Sequence, residues 1–288
     1  MGRTLTDDLR WNLLMAKRME HRIASIADEL HSHNVEFIMF KGWGAARSYP
    51  ADSPRTYADI DIAVGSNDFE KVEEICKGAK SSLNGIDLHS EFRHLDTLPW
   101  KQHLSRAITV EIENVRVKVP CPEDHLRIIA THWLNDGGEN KERLWDIYYA
   151  VANRPADFDW SKCLDVVSDT RRGWVICAIG LAHKYLGLDI SDLPFRDEAS
   201  KIPKWITATL EREWPRGERL QPLQTCLGDP KLFIRQLRKR IPPNPIQATI
   251  EMEASIDDCP RGLIQLRNMV HRASPSLGRI FTVATRKR

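Results

Sequence analysis

At 288 residues the chain is long enough to bury a substantial core, as one large domain or two modest ones. Hydrophobic residues at 42% and charged residues at 28% exclude a largely disordered chain, and a formal net charge of +2 is too small to imply nucleic-acid binding by the whole molecule. The charge is uneven, however: residues 231–288 hold 12 Lys/Arg against 4 Asp/Glu, a segment suited to nucleic acid, to a phosphorylated substrate or to an acidic face of the same chain, and otherwise a solvated basic face.

Leu9, Leu13, Met19, Ile23, Ile26 and Leu30 recur at helical steps after Thr6-Asp7-Asp8, which predicts an amphipathic helix over 7–33. Val35 to Phe40 fits a short buried strand, and Lys41-Gly42-Trp43-Gly44 then forms a tight turn into a helix beginning at Ala45-Ala46-Arg47. Pro50 to Pro54 make a loop. Residues 58–64 alternate polar and apolar, as a strand with one buried face does, and Asn67 with Glu70 reads as a capping box for a helix over 68–80. Gly85 to His89 predicts a further strand, with Ile86 and Leu88 on one face and Asp87 and His89 on the other. Residues 108–119 alternate through a turn at Asn114, the pattern of a hairpin. A helix follows from Pro122 to about Leu134. Beyond residue 140 strand signals vanish and segments 143–152, 160–168, 174–187 and 202–213 read as helices, with breaks at 215–222 and 241–245. The expected organisation is a small mixed α/β domain over 1–138 and a helical domain over 139–288.

The chemistry concentrates in the first part. Asp59 and Asp61 lie two apart in a predicted strand, so both carboxylates are expected on one face while Ile60 and Ile62 anchor the other. Like charges so close call for a cation, and an oxygen-rich pair suits Mg²⁺ or Mn²⁺. Asp87 is the best placed third carboxylate, with Glu111 and Glu113 as fallbacks. The Gly42-Trp43-Gly44 turn at a helix start offers backbone N–H groups to phosphate, and Lys41 and Arg55 add cationic groups.

These elements, namely Phe37-Ile38-Met39-Phe40, Lys41-Gly42, Tyr49-Pro50, Arg55 and Asp59-Ile60-Asp61, resemble the nucleotidyltransferase-fold superfamily and within it a poorly characterised bacterial nucleotidyltransferase family. Ile86-Asp87-Leu88-His89, Pro122-Glu123-Asp124-His125-Leu126, His132 and Leu144-Trp145-Asp146-Ile147 look like later blocks of that family, and the resemblance covers roughly residues 5–190. It implies an α+β fold, a minimal polymerase-beta-like mixed sheet with helices followed by an α-helical, acceptor-binding domain. It also implies transfer of a nucleoside monophosphate, AMP from ATP, onto an acceptor hydroxyl. By that analogy Asp59, Asp61 and Asp87 bind metal, Asp87 helps deprotonate the acceptor, and Lys41, Gly42, Trp43, Gly44 and Arg55 receive the nucleotide. Many members carry Gly-Ser where this chain has Gly42-Trp43, so one hydroxyl contact to phosphate is missing here. The acceptor is a small molecule, a peptide or a protein, or RNA met through the basic C-terminal segment.

Plainer readings accompany these. His89, His125 and His132 read as structural histidines, because no zinc-ligand spacing relates them. Asp146, close after Lys141 and Arg143, reads as an ion-pair partner or as a group at the active-site cleft, and the tryptophans as core, with Trp43 the one to test as a base platform. A degenerate binding module for protein or RNA is the alternative function. A sugar-nucleotide glycosyltransferase, which also uses Asp-x-Asp, is disfavoured because the short distance from the Lys41-Gly42 turn to Asp59 leaves no room for the large nucleotide-binding unit expected before that motif. Six scattered cysteines with no C-x-x-C pair read as reduced thiols. No apolar stretch approaches the ~20 residues that span a bilayer, so a cytoplasmic protein without membrane contact is expected.

Overall fold

The computed structural model describes residues 7–78, 81–216, 223–226, 228–257 and 261–272. It is an α+β protein whose contacts fall into two compact units, residues 1–130 with 145–167 and residues 131–144 with 168–288. Residues 145–167, which the sequence reading assigned to the second domain, group with the first unit because their side chains pair there: Asp146 with Arg55, and Tyr149 with Tyr49.

In the first unit, α1 (Asp7–Ser32) leads into β1 (Phe37–Phe40), α2 (Gly42–Ala46), β2 (Asp61–Val64), α3 (Ser66–Cys76) and β3 (Asp87–Ser90). The sheet order is β1-β2-β3, with β1 antiparallel to β2 and β2 parallel to β3. All four residues of β1 are buried because both sheet faces are covered. Ile23, Ile26, Ala27 and Leu30 of α1 pack with Phe37, Met39, Ile62 and Val64 on one face. Ile38, Phe40 and Ala63 meet Phe92, Leu95 and Ile128 on the other. Each fully buried Ile or Leu of α1 contributes about 1.5–3 kcal/mol relative to exposure.

After α4 (Trp100–Arg106), the expected hairpin forms from β4 (Ile108–Ile112) and β5 (Val115–Val119). Its two-residue turn is Glu113-Asn114, both at positive φ (47° and 69°), the twist a tight hairpin demands. Then come α5 (Pro122–Asn135), α6 (Leu144–Ala152) and α7 (Trp160–Leu164).

Three expectations are corrected. The strand expected over 58–64 begins only at Asp61, because its partner β1 ends at Phe40 and Lys41 turns the chain away at φ 51°. The short helix expected from Ala45 begins at Gly42 instead. The capping box is also absent: α3 starts at Ser66 behind Gly65, and neither Asn67 nor Glu70 caps it. Gly65 occupies that position because a Cβ there would meet the Trp100 indole at 2.9 Å.

The second unit is helical among the described residues. Its central α8 (Asp169–Leu186) is capped by the Ser168 side chain and closed by Gly187 at φ 73°. It is buried from Trp174 to Ala182, and a Cβ on Gly180 would collide with the Ala199 carbonyl of α9 (Arg196–Ala199). Helices α10 (Lys204–Glu213), α11 (Pro230–Arg240) and α12 (Pro245–Glu251) follow, and residues 261–272 form a last helix. The break expected at 241–245 separates α11 from α12. Residues 217–222 of the other expected break, and 273–288 of the basic segment, lie outside the described residues. Among the described residues no helix is long and apolar enough to cross a membrane.

Candidate metal and phosphate site

The register of the parallel pair builds the site. Asp61 is the first residue of β2 and lies directly opposite Asp87, the first residue of β3. Because side chains alternate along a strand, Ile62 and Leu88 turn to the core against α1, while Asp61, Asp87 and His89 share the other face. Asp61 is 8% exposed and His89 8%, whereas the Asp87 carboxylate is 57% exposed. His89 Nε2 stands 3.1 Å from Asp87 Oδ2 and 3.5 Å from Asp61 Oδ1. One ligand atom from each of the three lies within 4.8 Å of the others, a grouping fit for a metal ion.

Lys41 enters this group from the end of β1. Its Nζ donates to Asp61 Oδ1 at 2.8 Å, and lies 3.4 Å from His89 Nε2 and 4.0 Å from Asp87 Oδ2. The backbone of Lys41 is at φ 51°, ψ −119°, a region a lysine rarely occupies and one that costs of order 1–3 kcal/mol. The strained residue of the turn is thus the lysine and not a glycine. Burial alone would raise the Asp61 carboxyl, but the hydrogen bond and charge of His89 and of Lys41 overcome it and hold the group at about 2. His89 moves the other way: burial opposes protonation, yet the bonds to Asp61 and Asp87 raise it above its ordinary value.

The glycines of α2 are explained by close approach. A Cβ on Gly42 would stand 3.1 Å from the Asp59 carbonyl oxygen, and one on Gly44 would stand 3.1 Å from His125 Nε2. Arg55 fixes the same turn from below. It grips Asp146 through Nε to Oδ1 at 2.6 Å and Nη2 to Oδ2 at 2.8 Å, and donates from Nη1 to the Gly42 carbonyl at 3.1 Å. Tyr49 adds a bond from its hydroxyl to Asp146 Oδ1 at 2.7 Å. Burial works against the Arg55 charge, but Asp146 more than offsets it, so the guanidinium is held ionised. Asp146 therefore acts as the ion-pair partner that positions Arg55.

The residues expected at the site are gathered unevenly. Asp61, Asp87 and Lys41 converge, while Gly42, Trp43 and Gly44 form the adjoining turn that Arg55 braces. Asp59 lies before β2, exposed, and is not one of the three groups within metal-ligand reach. Trp43 is 7% exposed and packed in the core cluster, so what it presents to a nucleotide is its backbone. Of the fallback carboxylates, Glu113 is taken by His21 and Lys17, and Glu111 faces Arg116 across the hairpin.

Sequence reasoning missed His89, which it took as structural although it shares the Asp87 face. It also missed the setting of His125, a buried ring whose Nε2 has no hydrogen-bond partner and which burial drives down to about 4. His132 does take a structural place, beside Arg143 and Asp136.

Residues 2–79 match the model of a family described as an uncharacterised nucleotidyltransferase, and that stretch carries the Lys41-Gly42 turn, Arg55 and both Asp59 and Asp61. The resemblance read from these motifs to a nucleotidyltransferase-fold family is supported for that segment. No curated protein matches. Among solved structures, an antigenic nucleotidyltransferase-like protein from Paracoccidioides brasiliensis is similar at 15% identity and a TM-score of 0.40, over 69% of this chain and 95% of that one.

Proposed function

We propose that this chain is a metal-dependent nucleotidyltransferase that moves a nucleoside monophosphate, AMP from ATP, onto a hydroxyl of an acceptor. The observation that carries the reading is the β2–β3 register, which sets Asp61 and Asp87 side by side at the mouth of the Lys41-Gly42 turn. The fit to a cation rests on the Lys41 ammonium, a positive charge already drawn in among Asp61, Asp87 and His89. Asp61 and Asp87 are the carboxylates to hold Mg²⁺ or Mn²⁺, and Asp59, exposed two residues before Asp61 and outside that grouping, is the further carboxylate of the motif. Such a cation, when bound, neutralises triphosphate charge and polarises the reacting phosphate.

The chain's own groups do the rest. The backbone N–H groups of Gly42, Trp43 and Gly44 receive phosphate oxygens at the start of α2, and the Arg55 brace keeps that turn in shape. Lys41, on its strained backbone, stands between the carboxylates and the turn and serves whichever is left uncompensated. Asp87, the most exposed of the three grouped residues, takes the proton of the acceptor hydroxyl as the bond from its oxygen to the α-phosphorus forms and pyrophosphate leaves. A reaction drawing on ATP fits a cytoplasmic location, and the basic C-terminal segment leaves RNA among the acceptors beside small molecules, peptides and proteins.

Two features favour a second reading. Lys41 Nζ donates to Asp61 Oδ1 at 2.8 Å, taking up a carboxylate oxygen that a cation would use, and Trp43 stands where many relatives of the superfamily carry serine, as in a binding module that has lost its chemistry. Incubation with α-labelled ATP, Mg²⁺ or Mn²⁺ and an extract of the source cells decides between them. Transfer of label by the wild type and its loss in Asp61→Asn support the enzyme. Equal labelling by both proteins defeats the proposed role of Asp61, and ATP binding without any transfer favours the module.

A further inference from the structure

We infer that His89 is a nitrogen ligand of the divalent cation, so that the site takes ions of the manganese and cobalt kind in preference to Mg²⁺. The inference rests on the reading of Asp61 and Asp87 as cation-binding carboxylates and adds to it a ligand role that the motif reading did not give His89 and that the family match, over residues 2–79, does not reach.

Three observations carry it. First, strand alternation in β3 sends His89 to the same face as Asp87, and parallel pairing brings both to Asp61. Second, the spacing fits a shared ion. Ligand atoms ~2.1 Å from an octahedral ion stand about 3 Å apart, and His89 Nε2 is 3.1 Å from Asp87 Oδ2 and 3.5 Å from Asp61 Oδ1. Third, the Lys41 ammonium lies 3.4 Å from that same Nε2, so the nitrogen faces the place where the structure already gathers positive charge.

The ring is also held. His89 is buried, and Phe40 packs against it edge-on at 5.0 Å between centroids. A ring so confined keeps its nitrogen directed at the carboxylates. Mg²⁺ is a hard ion that prefers oxygen and gives up water reluctantly, whereas an imidazole beside two carboxylates favours later divalent ions in the order of their affinity for nitrogen. The contrary case is a His89 that only bridges Asp61 and Asp87 by hydrogen bonds.

Pulsed electron paramagnetic resonance of Mn²⁺ on the full chain separates the two. Mn²⁺ is added alone and with inorganic tripolyphosphate, which brings no nitrogen of its own. A nitrogen coupling of directly bound imidazole is expected in the wild type, changing to the ¹⁵N pattern when the protein is made with ¹⁵N-histidine, which requires no substitution. In His89→Gln the coupling disappears, and competition titrations show the preference for Mn²⁺ over Mg²⁺ falling by roughly tenfold. Mn²⁺ bound without nitrogen coupling, or coupling that survives in His89→Gln, overturns the role of His89 while leaving Asp61 and Asp87 as ligands. Wild-type protein that binds no Mn²⁺ under either condition overturns both this inference and the metal-dependent reading beneath it.

Discussion

His125 offers a quantitative test of how the glycine turn is supported. Its imidazole is buried under α2, with Nε2 3.1 Å from where a Cβ on Gly44 would lie. Burial pushes it from the ordinary 6.5 down to about 4; Asp146 works against the shift, and Arg47 and Arg55 add to it. Between those values the unfolded chain binds a proton that the folded chain does not, so stability falls as pH drops below about 6.5, and the loss is complete below about 4. At about 1.4 kcal/mol per pH unit this amounts to about 3 kcal/mol. His89, raised in the folded state, works in the opposite sense: its contribution is full below the ordinary histidine value and is lost as pH rises through its raised value. The comparison is therefore between wild type and His125→Gln, in which only the His125 contribution is removed. Urea unfolding at about pH 7 and about pH 4 should show the wild type losing about 3 kcal/mol more than the variant. Parallel losses in the two proteins would refute a neutral, buried imidazole at this position.

Gly44→Ala should cost about 1–3 kcal/mol in urea unfolding, because the new methyl presses on the His125 ring, and less in the His125→Ala background, where the ring is gone. Arg55→Lys should lower affinity for a nucleoside triphosphate in calorimetry: an ammonium cannot hold both Asp146 oxygens and the Gly42 carbonyl together, so the turn loosens. Unchanged affinity would separate the Arg55–Asp146 pair from binding. Asp124→Asn should destabilise the first unit by about 1–3 kcal/mol, since Asp124 is fully buried between Arg106 at 2.8 Å and Arg127 at 2.7 Å, and without its charge Arg127 is left with Asp96 as its one carboxylate partner. Thermal melts measure it, and a shift of under a degree would contradict the account.

The parts legible in the sequence were those set by local pattern. The hairpin follows from alternation and from Asn114, a residue that tolerates positive φ, and β3 from the split of Ile86 and Leu88 against Asp87 and His89. Asp87 was the best placed third carboxylate in the sequence because it faces the same way as His89, and the β2–β3 register sets it opposite Asp61. What was not legible depended on contacts distant in sequence. The strand at Asp59 is cut short by where β1 ends, the cap of α3 is displaced by Trp100 pressing on Gly65, and the return of 145–167 to the first unit follows from Asp146 meeting Arg55. His89 differs: its alternation with Asp87 was visible, but its value as a ligand depends on the β2–β3 distance, which no single strand reveals.

The cation site itself can be observed most directly by anomalous diffraction from crystals soaked with Mn²⁺ and a non-hydrolysable ATP analogue. The account predicts an anomalous peak in contact with oxygens of both Asp61 and Asp87, and phosphate density at the Gly42-Trp43-Gly44 turn. A triphosphate bound elsewhere, or Mn²⁺ density that avoids both aspartates while Lys41 keeps its bond to Asp61, would contradict it.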